Sequence, residues 1–135
     1  MDVSRGVAFV EEHHHAVLST FRRDGLPQMS PVACGVDDGQ VVISSRETAI
    51  KVKNLRRDPR ASLLVISDGF YGDWVQLDGT AAIQSLPEAM EPLVEHYQSL
   101  SGEHPDWDEY RVAMEREQRL LIRITVERAG PTVSG

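Results

Sequence analysis

The chain has 135 residues, 41% hydrophobic and 26% charged, with a formal net charge of −7. That balance suits a single globular domain over residues 1–135 and excludes a disordered segment or a fold that depends on metals or disulfides; the acidity excludes a long polyanion such as duplex nucleic acid as the main partner, because that needs a broad basic face. Cys34 stands alone, which excludes an internal disulfide, and no apolar run is long enough for a signal peptide or a membrane span, so a cytoplasmic location is expected.

In chain order, residues 3–13 read as a short amphipathic helix with Val3, Val7 and Val10 on one face, weakened by Gly6. His13, His14 and His15 follow. Their spacing is wrong for a helical metal pair and no thiol cluster is near, so they read as a helix end passing into a strand, with no metal expected. Residues 15–23 and 27–36 read as a hairpin joined through Asp24-Gly25, with Pro31 marking an edge or a bulge. A second hairpin connection at 37–39 leads to a strand over 40–45. Ser44 with Glu47 fits a capping box, and Thr48 is an equally good start, for a helix that runs to Asp58 and is stopped by Pro59.

Residues 61–67 contain a continuous apolar run and read as a strand buried on both faces. A strand over 74–83 carries Gly79 as a bulge. Helices are predicted over 87–100, with Pro87 in the first turn and Gly102 as the stop, and over 106–117, with acidic residues at its start. The stretch 86–118 holds nine carboxylates against Arg111 and Arg116, a solvated face. A last strand covers 119–127, and 129–135 reads as an exposed tail. About six strands joined by tight turns favour a small antiparallel barrel with a few short helices.

The unusual stretch is 51–60. Five cations fall there in an acidic protein: Lys51, Lys53, Arg56, Arg57 and Arg60. On a helix Lys51 shares a face with Asn54 and Leu55, whereas Lys53 lines up with Arg56, Arg57 and Arg60. Lys51, near the helix N-terminus and preceded by the hydroxyls of Ser44, Ser45 and Thr48, is placed to hold a phosphate. The other reading is a solvated basic helix with Arg56 or Arg60 paired to carboxylates, and the residues alone leave both open. No dinucleotide, Walker or nucleophile-elbow motif is present. Cys34 reads as a buried structural thiol, and Tyr71 and Trp74 read as core aromatics or as a stacking platform for a flat ring.

Residues 19–32, STFRRDGLPQMSPV, resemble the opening of the pyridoxamine 5′-phosphate oxidase-like split-barrel superfamily. Residues 51–62, KVKNLRRDPRAS, and 101–111, SGEHPDWDEYR, are similar to motifs of its branch that uses the deazaflavin coenzyme F420. The resemblance implies a six-stranded antiparallel split β-barrel that forms a homodimer with cofactor sites across the interface. It implies Lys51 on the cofactor phosphate and Ser30, Pro31 and Val32 along the ring through their backbone. Ser44, Ser45 and Asn54 would lie near the ribityl-phosphate region. The Lys53 face, with Arg56, Arg57 and Arg60, either reaches an acidic cofactor tail or meets only solvent. Ala49 stands where some relatives carry an arginine, and the chain stops without the arginine-containing substrate motif of true pyridoxamine phosphate oxidases, which argues against that oxidation. The expected function is hydride transfer from reduced F420 to a small conjugated acceptor. The alternatives are an FMN-dependent reductase or oxidase and a non-catalytic cofactor carrier.

Overall fold

The computed structural model describes residues 1–131. Helix α1 (Val3–Glu12) is followed by strands β1 (His15–Phe21), β2 (Pro27–Ala33), β3 (Gly35–Asp37) and β4 (Gln40–Arg46). Helix α2 (Ile50–Arg57) leads to β5 (Arg60–Ile66) and β6 (Trp74–Ser85), and helices α3 (Met90–Ser101) and α4 (Trp107–Arg116) precede β7 (Arg119–Ala129). The strands form one antiparallel sheet in the order β2-β1-β5-β6-β7-β4-β3, seven strands rather than the expected six. The difference arises at Cys34, where the predicted strand over 27–36 breaks: the Cys34 N–H donates to the carbonyl of His14 at 2.8 Å. Beyond that point Gly35 pairs with Val42 rather than with β1. The chain thus passes from one edge of the sheet to the other at Cys34–Gly35, which curls the sheet into a split barrel. Pro31 sits in edge strand β2, where its missing N–H costs no interior ladder bond.

Alternation along the strands sends one set of side chains into the barrel. Leu18, Val41, Ile43, Leu63, Leu77 and Ile122 are among its fully buried members, and Val52 and Leu55 of α2 join them. A second cluster lies on the outer face of β4 and β7, where Val42 and Leu121 meet Leu93, Val94, Tyr110 and Met114 of α3 and α4. β5 departs from expectation. Ala61, Leu63 and Val65 point inward, but Leu64 is 38% exposed, because no helix covers the outer face there.

Two glycines are required by close approach. A Cβ on Gly79 would lie 2.1 Å from the Thr125 carbonyl oxygen, at the register shift between Asp78 and Gly79, so the predicted bulge exists. A Cβ on Gly6 would lie 2.7 Å from Leu77 Cδ2 and 2.8 Å from Ala129 Cβ, so Gly6 is where α1 seats on the sheet. The three histidines part company: His13 ends α1 against Phe9, His14 Nδ1 lies 3.0 Å from the Cys34 carbonyl oxygen, and His15 opens β1. Among the described residues no group of three or more His, Cys, Asp or Glu could hold a metal ion, and no helix is long and apolar enough to cross a membrane.

α3 starts three residues later than predicted, which leaves Pro87 in the preceding turn, while Gly102 ends it with φ 79°. α4 is capped by Asp106, whose side chain accepts from the Glu109 N–H. β7 runs through Ala129, two residues beyond its predicted end, and of the expected tail only residues 132–135 lie outside the described residues.

Candidate functional site

The predicted capping box does not form. Ser44 is held in β4 opposite Leu121, and the Glu47 carboxylate accepts from Arg56 and from the Ser85 hydroxyl, both at 2.7 Å. Ala49 is the N-cap of α2 and offers no side-chain acceptor, and Thr48 is not used. The first-turn N–H groups of α2 are therefore left without a side-chain cap, and a helix end in that state favours an anion. Lys51 lies in this first turn. It is half-buried and enters no ion pair among the described residues, and burial holds its pKa below the ordinary lysine value. An unpaired, partly desolvated ammonium gains from any anion that reaches it.

The remaining cations of α2 divide in two. Arg56 is engaged by Glu47, and Arg60 by Asp58 at 2.7 Å with its guanidinium over the Phe21 ring, so for these two the solvated, carboxylate-paired reading holds. Lys53 and Arg57 instead meet Arg22 and Arg23 of the β1–β2 turn across a groove of about 580 Å³, with Ile50, Asn54 and Asp24. Sequence reasoning passed over Arg22 and Arg23, because nothing local indicates that the first hairpin turn folds over α2.

Asn54 is buried and its amide is occupied: Nδ2 donates to Thr20 Oγ1 at 3.1 Å, and Oδ1 accepts from Arg57 at 3.0 Å. It fastens α2 to β1 and orients Arg57, which also donates to the Phe21 carbonyl at 2.7 Å. Ser44 and Ser45 lie on opposite faces of β4. Ser45 is buried on the side of Val41 and Ile43, whereas Ser44 opens toward α3 and α4. They do not serve one point. In β2, Gln28, Ser30 and Val32 face inward and Met29, Pro31 and Ala33 face out. The Ser30 hydroxyl is buried with no hydrogen-bond partner, a state that costs about 1–3 kcal/mol. Cys34 is fully buried and its thiol is pushed up to about 12, which suits a structural role. Neither predicted aromatic belongs to the core: Tyr71 is almost wholly exposed beside Phe70 on the β5–β6 loop, and Trp74 lies half-buried where β6 begins.

A seven-stranded curled sheet with a basic, uncapped helix after β4 defines a split-barrel protein. The chain belongs to the pyridoxamine 5′-phosphate oxidase family, whose family model matches residues 5–132. It is 27% identical over 122 residues to the F420H(2)-dependent biliverdin reductase of Mycobacterium tuberculosis, covering 90% of this chain and 82% of that protein. A conserved hypothetical protein of Mycobacterium tuberculosis has the same fold at a TM-score of 0.78 and 27% identity, covering 100% of this chain and 93% of the other. A solved structure described as an F420 reductase matches at a TM-score of 0.72 and 18% identity, covering 91% and 94% of the two chains, which bears on the fold alone.

Proposed function

We propose that the protein is an F420-dependent reductase that passes a hydride from reduced F420 to a small conjugated acceptor. The observation that carries this reading is the uncapped N-terminus of α2 with the unpaired, half-buried Lys51 in its first turn. The F420-dependent relative supplies the cofactor class. The groove of Arg22, Arg23, Lys53 and Arg57 favours F420 over FMN, because F420 carries an acidic tail beyond its phosphate and FMN does not.

The residues present fit such a group. Lys51 and the α2 N–H groups hold the phosphate, each charge-assisted hydrogen bond contributing roughly 1.5–3 kcal/mol. Lys53 and the arginines of the groove take the tail. The backbone of Ser30, Pro31 and Val32, on edge strand β2, would lie along the ring. Ser44 opens toward α3 and α4 and Ser45 is buried on the core side, so neither β4 hydroxyl is assigned to the ribityl chain. Asn54 acts through Arg57 and the seating of α2. When bound, reduced F420 supplies the hydride from its C5; the chain supplies orientation and exclusion of water.

The site works as part of a homodimer in the cytoplasm. Val17, Pro31 and Leu64 are cross-strand neighbours on the outer sheet face, and Ile66 with Trp74 extends the patch. An apolar face of this kind needs a cover, and a second copy provides it.

Titration of F420 and FMN against wild type, Lys51→Ala and the double variant Arg22→Glu/Lys53→Glu tests the reading. Micromolar F420 binding is expected, weakened about tenfold or more by Lys51→Ala. The double variant should weaken F420 further and leave FMN unmoved. No F420 binding at micromolar concentration overturns the proposal. Tight FMN binding indifferent to the double variant favours the FMN enzyme, and F420 binding without hydride transfer to any of a broad acceptor panel favours a carrier.

A further inference from the structure

A second cavity, of about 420 Å³, lies between the outer face of β4 and β7 and the helices α3 and α4. It falls in the size range of small-molecule sites. Its apolar lining is Tyr97, Leu100, Tyr110, Ala113 and Met114. Tyr97 and Tyr110 belong to an edge-to-face cluster with His104 and Trp107, at centroid separations of 5.2–5.8 Å, so the wall is preorganised. Polar groups in the lining include the hydroxyls of Ser44 and Ser101 and the guanidinium of Arg119.

His96 lies on this cavity and is only 8% exposed. Its Nδ1 is sealed without a partner, turned toward Gly35, where an added Cβ would lie 3.4 Å away. A buried N–H without an acceptor is costlier than a bare lone pair, so the favoured tautomer leaves Nδ1 unprotonated and puts the proton on Nε2. Nε2 is neither sealed nor hydrogen-bonded among the described residues, and the cavity is the open space that the ring meets. The ring is neutral at pH 7, since burial pushes its pKa down to about 4, with the neighbouring His14 adding to the effect. A neutral N–H donor facing an aromatic wall calls for an uncharged oxygen acceptor on a flat molecule. A carboxylate is disfavoured, because Glu109 and Glu117 share the lining and Arg119 is already paired with Glu117 at 3.1 Å.

We propose that this cavity is a binding site for a flat aromatic carbonyl compound, with its oxygen on His96 Nε2–H and its ring against Tyr97, Tyr110 and Met114. The site involves none of the α2 cations and does not depend on the cofactor reading.

The test uses the isotopically labelled full chain without cofactor, titrated with acetophenone and followed by protein NMR. Anisole, which keeps the ring and lacks the carbonyl, and benzoate, which adds a charge, serve as comparisons. Saturable shifts centred on α3, α4 and the His96 ring are expected for acetophenone, with about tenfold weaker binding of anisole and benzoate. Ala113→Leu, which fills the cavity from α4 and leaves His96 in place, should abolish the shifts. His96→Leu should weaken acetophenone about tenfold and remove its preference over anisole. Shifts that do not saturate, that map elsewhere, or that persist in Ala113→Leu overturn the proposal. Equal binding of acetophenone and anisole by the wild type overturns the role of His96. Because no F420 is present, either result is independent of whether Lys51 binds that cofactor.

Discussion

At His96 a neutral imidazole is packed between α3 and β3, and the cost of charging it ties stability to pH. Its folded-state pKa of about 4 lies below the ordinary 6.5, so the folded chain binds fewer protons than the unfolded chain between those values. The stability it contributes is present above 6.5 and is lost as pH falls toward 4. The shift corresponds to about 2 kcal/mol between pH 7 and pH 5. Carboxylates held low by arginines, Glu47 by Arg56 and Asp58 by Arg60, lose their contributions only at lower pH, as pH falls from their ordinary values through their depressed ones. Urea midpoints at the two pH values should therefore fall more steeply for wild type than for His96→Gln, which has nothing to titrate at this position. Parallel losses in the two proteins would remove His96 as the cause.

At the level of elements, α1 shows packing overruling propensity. Gly6→Ala improves the isolated helix by about 1 kcal/mol. The added methyl meets Leu77 and Ala129 at 2.7–2.8 Å, and overpacking of a docked face costs about 1–3 kcal/mol. The net effect is expected to be destabilising by about 1 kcal/mol, read as a lower denaturation midpoint. A raised midpoint would show that α1 can slide outward at no cost. α2 makes the complementary point. Its sequence begins with hydroxyls suited to capping, yet β4 claims Ser44 and Ser45 and Arg56 claims Glu47, so the helix starts uncapped beside Lys51. Local signals were outbid by ladder pairing and by a salt bridge with Arg56, nine residues further along the chain.

On the scale of the whole molecule, the proposed homodimer would cover the outer sheet face. Leu64 stands at its centre, opposite Val17 on one side and Gln76 on the other. Leu64→Glu places a charge in that patch and should convert the proposed dimer to a monomer in light scattering after size exclusion. A wild-type chain that runs as a monomer at micromolar concentration would refute the dimer.

The sequence by itself determined most elements and their type, but not the break at Cys34 that makes β3 a strand of its own. Alternation in β7, the Asp-Gly turns, Pro31 as an edge residue and Gly79 as a bulge are local matters of backbone sterics and side-chain period, and all can be read from the residues; the one-sided burial of β5 could not. It also placed Lys51 at a helix start. Tertiary structure alone decided which cations stay free, because pairing depends on partners brought in from elsewhere: Arg56 meets Glu47 and Ser85, Arg60 is covered by Phe21 and Asp58, and Arg22 and Arg23 arrive beside Lys53 through the first hairpin turn. It decided too that Asn54 is a fastening rather than a free amide, and that His96 is buried against Gly35. Burial and long-range pairing are properties of the closed sheet, and no window of local sequence contains them.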